Sequence, residues 1–142
     1  MYIEKITTAN CPAFSSKIIV QMNTSTVFRI ATAIMGLNGI MALFATDNFF
    51  SMAGMDVTTD MVTLGQFMGV TFLFFALVAW KASSLTGETL AGMGRTFAIG
   101  ETMWAAIIAY HVFAGMAEGM TAYANLGVSV LMAVLFFVAS RK

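Results

Sequence analysis

The chain has 142 residues, of which 59% are hydrophobic and 10% are charged, and its mean hydropathy is strongly positive. Soluble domains carry about 25% charged residues, so this composition excludes an ordinary soluble globular protein. The net charge is zero and no basic tract occurs, which argues against nucleic acid as a partner. The length indicates one domain, with room for about four membrane spans of ~20 residues each.

Residues 1 to 24 are predicted to form a cytoplasmic N-terminal tail. They lack the continuous apolar core and small-residue cleavage site of a signal peptide. Cys11 is the single cysteine, so it has no partner for an internal disulfide or for a CxxC motif. We therefore expect a retained tail with an inert thiol.

Residues 25 to 142 are predicted to form a transmembrane domain with spans at about 25–46, 61–80, 94–114 and 121–140. The expected fold is all-α, an integral membrane four-helix bundle. Close packing of the first two spans is predicted by four glycines, because small residues let helix backbones approach one another. These are Gly36, Gly39, Gly65 and Gly69, the last two forming a GxxxG pair. The apolar patch at 49–55 is expected to dip into the membrane interface.

The basic residues predict the orientation of these spans, because Lys and Arg mark the cytoplasmic side of a membrane. With four spans, every basic residue falls on or next to one side, and the first and third loops hold none. They are Lys5, Lys17, Arg29, Lys81, Arg95, Arg141 and Lys142. Both termini are therefore expected in the cytoplasm or an equivalent compartment, of a bacterial inner membrane or an organellar membrane.

Glu101 is a carboxylate well inside an apolar run, the third span. A carboxylate in lipid is costly unless it is protonated or paired with a donor. Arg29, about one turn into the first span, comes out at a comparable depth. We therefore predict an intramembrane ion pair between Arg29 and Glu101. Arg95 is the alternative partner, although a spacing of six residues places it on a different face of the helix.

A second group of polar residues is predicted near the non-cytoplasmic side, one from each span. It consists of Asn38, Gln66, His111 and Asn125. Because amides facing lipid are disfavoured, we expect them to form an inward-facing polar layer. Such a layer could fix helix register by hydrogen bonding, or line a ligand pocket, or hold a metal-centred pigment with His111 as axial ligand. His111 could instead lie exposed beside Tyr110.

No HExxH, CxxC, GxSxG, P-loop or dinucleotide motif occurs in the sequence. One histidine and one cysteine cannot assemble a usual zinc, copper or paired-haem site within the chain. We therefore expect no metal site and no catalytic residues, and an intramembrane enzyme is the least favoured function. The sequence requires no cofactor, and a bound lipid or pigment is the kind of ligand it could accept.

The layout of the chain resembles the small four-helix membrane proteins related to the DoxX family. The likeness covers about residues 26–140 and rests on the four spans, Arg29 near the start of the first, and the segments MGLNGIMALF and GQFMG. The resemblance implies a compact four-helix bundle with both ends in the cytoplasm, and it carries over no functional residues. Gln66 stands where many relatives have a charged residue.

Two functions compete at this stage. The small size, the glycine-bearing helix faces and the absence of catalytic motifs favour an accessory or structural subunit of a larger membrane assembly. Its partners would be the lipid bilayer and other membrane subunits, or further copies of the same chain. The alternative is a protein that binds or transports a small ligand or lipid in a polar cavity between the helices.

Overall fold

The computed structural model describes residues 23–141, and every regular element in that range is a helix. The helices are α1 (Thr24–Phe44), α2 (Thr46–Ser51), α3 (Thr59–Ala82), α4 (Gly87–Phe113) and α5 (Met120–Ala139). All except the short α2 are long and apolar enough to cross a membrane. This confirms the expected all-α fold with four membrane-length helices. The predicted tail up to residue 22, including Cys11, lies outside the described residues.

α1 packs mainly on α3, and glycines lie where the two backbones come closest. A Cβ added to Gly69 would meet the backbone nitrogen of Leu43 at 2.7 Å and the carbonyl oxygen of Gly39 at 2.9 Å. Gly65 leaves room for the side chains of Thr46 and Phe50, which belong to α2. Gly39 and Gly69 therefore lie at the closest part of the α1–α3 contact, whereas Gly65 faces α2. Gly36 is the least crowded of the four, because only Ala76 approaches it, at 4.0 Å.

α4 packs mainly on α5 through small side chains that repeat every three to four residues, as a helix face requires. On α4 the buried residues include Gly94, Ala98 and Ala105. A Cβ on Gly94 would lie 3.0 Å from both Ser140 and Thr24, so this glycine also allows α1 to approach the pair.

The two helix pairs join at the end of the molecule where α1 begins. The ring of Phe28 packs edge-on against Phe97 at 5.0 Å and against Phe136 at 4.8 Å, so that α1, α4 and α5 meet in one aromatic cluster. Thr24 Oγ1 donates a hydrogen bond of 2.8 Å to the carbonyl oxygen of Ala139. These contacts fix the level of α1 against α4 and α5.

At the opposite end, the loop after α2 meets the loop before α5. The Gly119 N–H donates a hydrogen bond of 2.9 Å to the carbonyl oxygen of Ala53. Gly54 has a φ of +76°, a left-handed conformation that glycine adopts readily, and a Cβ there would lie 2.8 Å from the nitrogen of Gly119. The two loops therefore fit together only because neither glycine carries a side chain.

Two segments expected as loops are helical instead. α4 begins at Gly87, seven residues before the start of the third predicted span. The segment GETLAGM contains no proline, and it places Glu88 in the first helical turn, where a negative charge is favourable. Part of the apolar patch at 49–55 belongs to α2, where Phe49 and Phe50 are half-buried. Because α4 begins early, the connection between α3 and α4 is short.

Candidate functional site

The structure does not bring Arg29 and Glu101 together, and within residues 23–141 they form no ion pair. Their levels are close, because Arg29 follows Phe28 by one residue and Glu101 follows Phe97 by about one turn. Their directions differ, because successive helix residues point about 100° apart. Phe28 is buried whereas Arg29 is exposed, so Arg29 points out of the molecule while Glu101 points in.

Arg95, the alternative partner, pairs with Glu88 instead of Glu101. Its Nη2 lies 2.6 Å from Oε1 of Glu88 in an exposed ion pair. The pairing follows from the early start of α4, because seven residues are two helical turns and place both side chains on one face. An exposed pair of this kind stabilises a fold by about 1 kcal/mol at most.

Glu101 lies in the inward-facing stripe of α4. Its neighbours in that stripe, Ala98 and Ala105, are 6% and 8% exposed, whereas Glu101 itself is only half-buried. Ser129, 6% exposed, lies on the buried face of α5, the helix on which α4 mainly packs. Part of the longer side chain of Glu101 therefore remains accessible on an otherwise covered face of α4.

One turn further along α4, an aromatic contact joins α4 to α3. The ring of Trp104 packs edge-on against Phe72 of α3, with ring centroids 5.5 Å apart. Trp104 is 40% exposed, so one part of its ring remains accessible. A carboxyl, a hydroxyl and an aromatic pair can together balance one positive charge and hold an apolar group beside it.

Sequence reasoning missed Ser129, and a periodic signal could have found it. Ser129 follows Asn125 by four residues and precedes Phe136 by seven, so all three share one face of α5. That face is the one buried against the rest of the molecule. A serine in the buried stripe of one helix is a natural partner for a carboxyl in the stripe of its neighbour.

The four residues of the predicted polar layer differ in burial, and no side-chain hydrogen bond joins them within residues 23–141. Asn38 and Asn125 are half-buried, and Gln66 is exposed. His111 is half-buried in the last turn of α4, with its ring 5.5 Å from that of Tyr110. None of the four takes part in a side-chain hydrogen bond within residues 23–141. Because it is exposed, Gln66 faces outwards, and the inward-facing layer stays a prediction for the other three residues.

The exposed position of Gln66 is unusual for an amide in an apolar helix. It lies seven residues into α3, about 10 Å along the axis. Its neighbours on this side of the helix, Val70 and Leu77, are more than half exposed. Thr71 is also exposed, but its hydroxyl donates a hydrogen bond of 2.9 Å to the carbonyl oxygen of Phe67. The side-chain amide of Gln66 makes no such bond within residues 23–141.

A cavity of about 370 Å³ opens at the end of the molecule where α1 begins and α3 ends. It is lined by Asn23, Ser25, Ser83, Ser84, Leu85, Thr86, Gly87 and Leu90. Ser25 Oγ donates a hydrogen bond of 2.6 Å to the carbonyl oxygen of Ser83, so part of this polar lining is already paired. The cavity lies far along the helices from Asn38, Gln66, His111 and Asn125.

Among residues 23–141, no three His, Cys, Asp or Glu side chains lie close enough together to hold a metal ion. The chain matches no protein-family model, no curated protein and no solved structure. The resemblance to the DoxX-related proteins therefore stays a prediction, and the interpretation of the site depends on its geometry.

Proposed function

We propose that the protein is an accessory or structural subunit of a larger membrane assembly. The observation that supports this most is Gln66, an exposed amide about 10 Å inside an apolar helix. An amide that faces lipid loses hydrogen bonds that it would make in water or with protein. A partner helix that supplies a donor and an acceptor removes this cost, and interhelical hydrogen bonds of this kind contribute about 1 kcal/mol.

The surface around Gln66 fits the same role. Fewer than a third of the residues in the central window of each membrane-length helix are buried, so the protomer offers apolar surface to lipid or to protein. The outer side of α3 carries exposed Phe67, Val70, Phe74 and Leu77. Together with Gln66 these residues define the α3 outer face. It combines large apolar side chains with one amide that makes no side-chain hydrogen bond within residues 23–141.

We further propose that the four long helices act as one bundle in a bacterial inner membrane or an organellar membrane, with both termini in the cytoplasm. The described basic residues Arg29, Lys81, Arg95 and Arg141 all lie towards the end where α1 and α4 begin. Asp47, Asp56, Asp60 and Glu118 lie towards the other end. This distribution agrees with the preference of Lys and Arg for the cytoplasmic side.

Extraction with a native membrane polymer, which avoids detergent, tests the subunit role. We expect a particle that contains more protein than one 15.2 kDa chain, and we expect Gln66→Leu to reduce its size. Thr71→Val is the matched control, because it also replaces a polar side chain on exposed α3 with an apolar one, but its hydroxyl is already paired within the helix. A single chain in every particle would contradict the proposal.

The second candidate function is the binding of a small ligand or lipid between the helices. Glu101 favours it, because it is a half-buried and partly accessible carboxyl on an otherwise covered helix face. Carboxylates inside a membrane commonly serve a functional site. This candidate does not compete with the first, because the α3 outer face and Glu101 lie on different sides of the protomer.

A further inference from the structure

We propose that the inward face of α4 at Glu101 is a binding site for a protonated amine attached to an apolar group. The inference names the ligand class for the second candidate function and rests on it. Glu101 supplies the negative charge, and the Phe72–Trp104 pair supplies an apolar wall. Ser129, on the face of α5 that is buried against the rest of the molecule, supplies a hydroxyl. These groups come from three helices, α3, α4 and α5.

The charge of the ligand follows from what surrounds Glu101. Arg29, the nearest cation by level, points outwards, and Arg95 is occupied by Glu88 at 2.6 Å. Within residues 23–141, no Lys, Arg or His forms an ion pair with Glu101. A carboxylate in an apolar surrounding is strongly stabilised by a nearby positive charge, so an incoming cation gains more here than it would in water.

The apolar part of the ligand follows from the wall beside the carboxyl. Trp104 lies three residues after Glu101, so both side chains occupy neighbouring positions on α4. The ring of Trp104 is held edge-on by Phe72 and remains 40% exposed. An aromatic face attracts an ammonium group within about 6 Å and also contacts its alkyl chain. An organic amine therefore uses both parts of the site, whereas a metal ion uses only the carboxyl and the hydroxyl.

The structural alternative is that Glu101 and Ser129 only hold α4 against α5. A structural contact of this kind needs a hydrogen bond but no net charge, because a neutral amide at position 101 can still accept a hydrogen bond from the hydroxyl of Ser129. Amine binding needs the charge itself. Glu101→Gln therefore separates the two explanations while it keeps the shape of the side chain.

The experiment uses the full chain in phosphatidylcholine nanodiscs with Trp80→Phe, which leaves Trp104 as the single tryptophan. Octylamine is titrated at neutral pH while the fluorescence of Trp104 is recorded, and octanol is the uncharged comparison. We expect saturable binding of octylamine, weakened about tenfold or more in Glu101→Gln, since charge-assisted contacts of this kind are worth at least that factor. Glu118→Gln, the same change at an exposed site in the loop between α4 and α5, should bind as the parent does.

Equal binding of octylamine to Glu101→Gln and to the parent would overturn the proposal, as would octanol binding as tightly as octylamine. Nanodiscs that also contain phosphatidylethanolamine identify the source of the amine. A lipid headgroup that occupies the site lowers the apparent affinity for octylamine, whereas an unchanged affinity assigns the site to a free amine. Particle size, measured on the same samples, reports separately on the subunit role, so each proposal fails by its own measurement.

Discussion

Gly39 of α1 and Gly69 of α3 lie face to face. A Cβ on Gly39 would stand 3.0 Å from the carbonyl oxygen of Gly69, and a Cβ on Gly69 would stand 2.9 Å from the carbonyl oxygen of Gly39. Both contacts are with backbone, which cannot turn aside as a flexible side chain can. The spacing of α1 and α3 therefore depends on these two residues having no side chain.

Gly69→Ala should destabilise the protein by about 1–3 kcal/mol, the usual cost of overpacking, because α1 must move away from α3. The measurement is the free energy of unfolding in mixed micelles, followed by circular dichroism. Gly100→Ala is the control, since nothing lies within 4 Å of a Cβ at Gly100 and alanine favours a helix by up to about 1 kcal/mol. Similar losses in both variants would contradict the assigned contact.

Phe136→Ala should destabilise the end of the molecule where the two helix pairs join. Phe136 is fully buried and packs against Phe28 and Phe97, so its removal leaves a cavity shared by α1, α4 and α5. Core Phe→Ala changes cost about 3–5 kcal/mol in soluble proteins. We expect the lower part of that range, because the side chain moves between protein and lipid rather than water.

The same unfolding measurement checks the Phe136 prediction. Phe113→Ala is its control, because Phe113 is 86% exposed at the end of α4 and should unfold as the parent does. If Phe136→Ala unfolds as the parent does, the aromatic cluster does not hold the pairs together.

The helices were largely predictable from the sequence, because length and hydropathy alone identify a membrane-length segment. The start of α4 was not, since the hydropathy of GETLAGM is low although its residues are compatible with a helix. That error hid the pairing of Arg95 with Glu88, because a residue that is thought to lie in a loop is not placed on a helix face. A search for charged residues seven apart would have found the pair.

The site was less predictable than the fold. Depth along a helix follows from counting residues at ~1.5 Å each, and this count predicts similar levels for Arg29 and Glu101. Rotation about the helix axis is set by packing between helices, which the sequence of one helix does not state. Arg29 therefore points out next to buried Phe28, and Gln66 points out next to buried Gly65.

The proposed orientation predicts the labelling of two cysteines in intact cells. Native Cys11 should react with a membrane-impermeant maleimide only after permeabilisation, because the tail is expected in the cytoplasm. Asp56→Cys in a Cys11→Ser background should react in intact cells, since the loop between α2 and α3 lies at the opposite end from the basic residues. The reverse pattern of labelling would contradict the orientation.

Photo-crosslinking from position 70 in native membranes tests most directly whether protein covers the α3 outer face. Val70 is one turn from Gln66 and 55% exposed, so a benzoylphenylalanine placed there reaches whatever lies against the amide. The control position is Leu131 on α5, which is also 55% exposed. We expect a discrete protein adduct from position 70, lost in Gln66→Leu. Lipid adducts alone from position 70, as expected for Leu131, would contradict it.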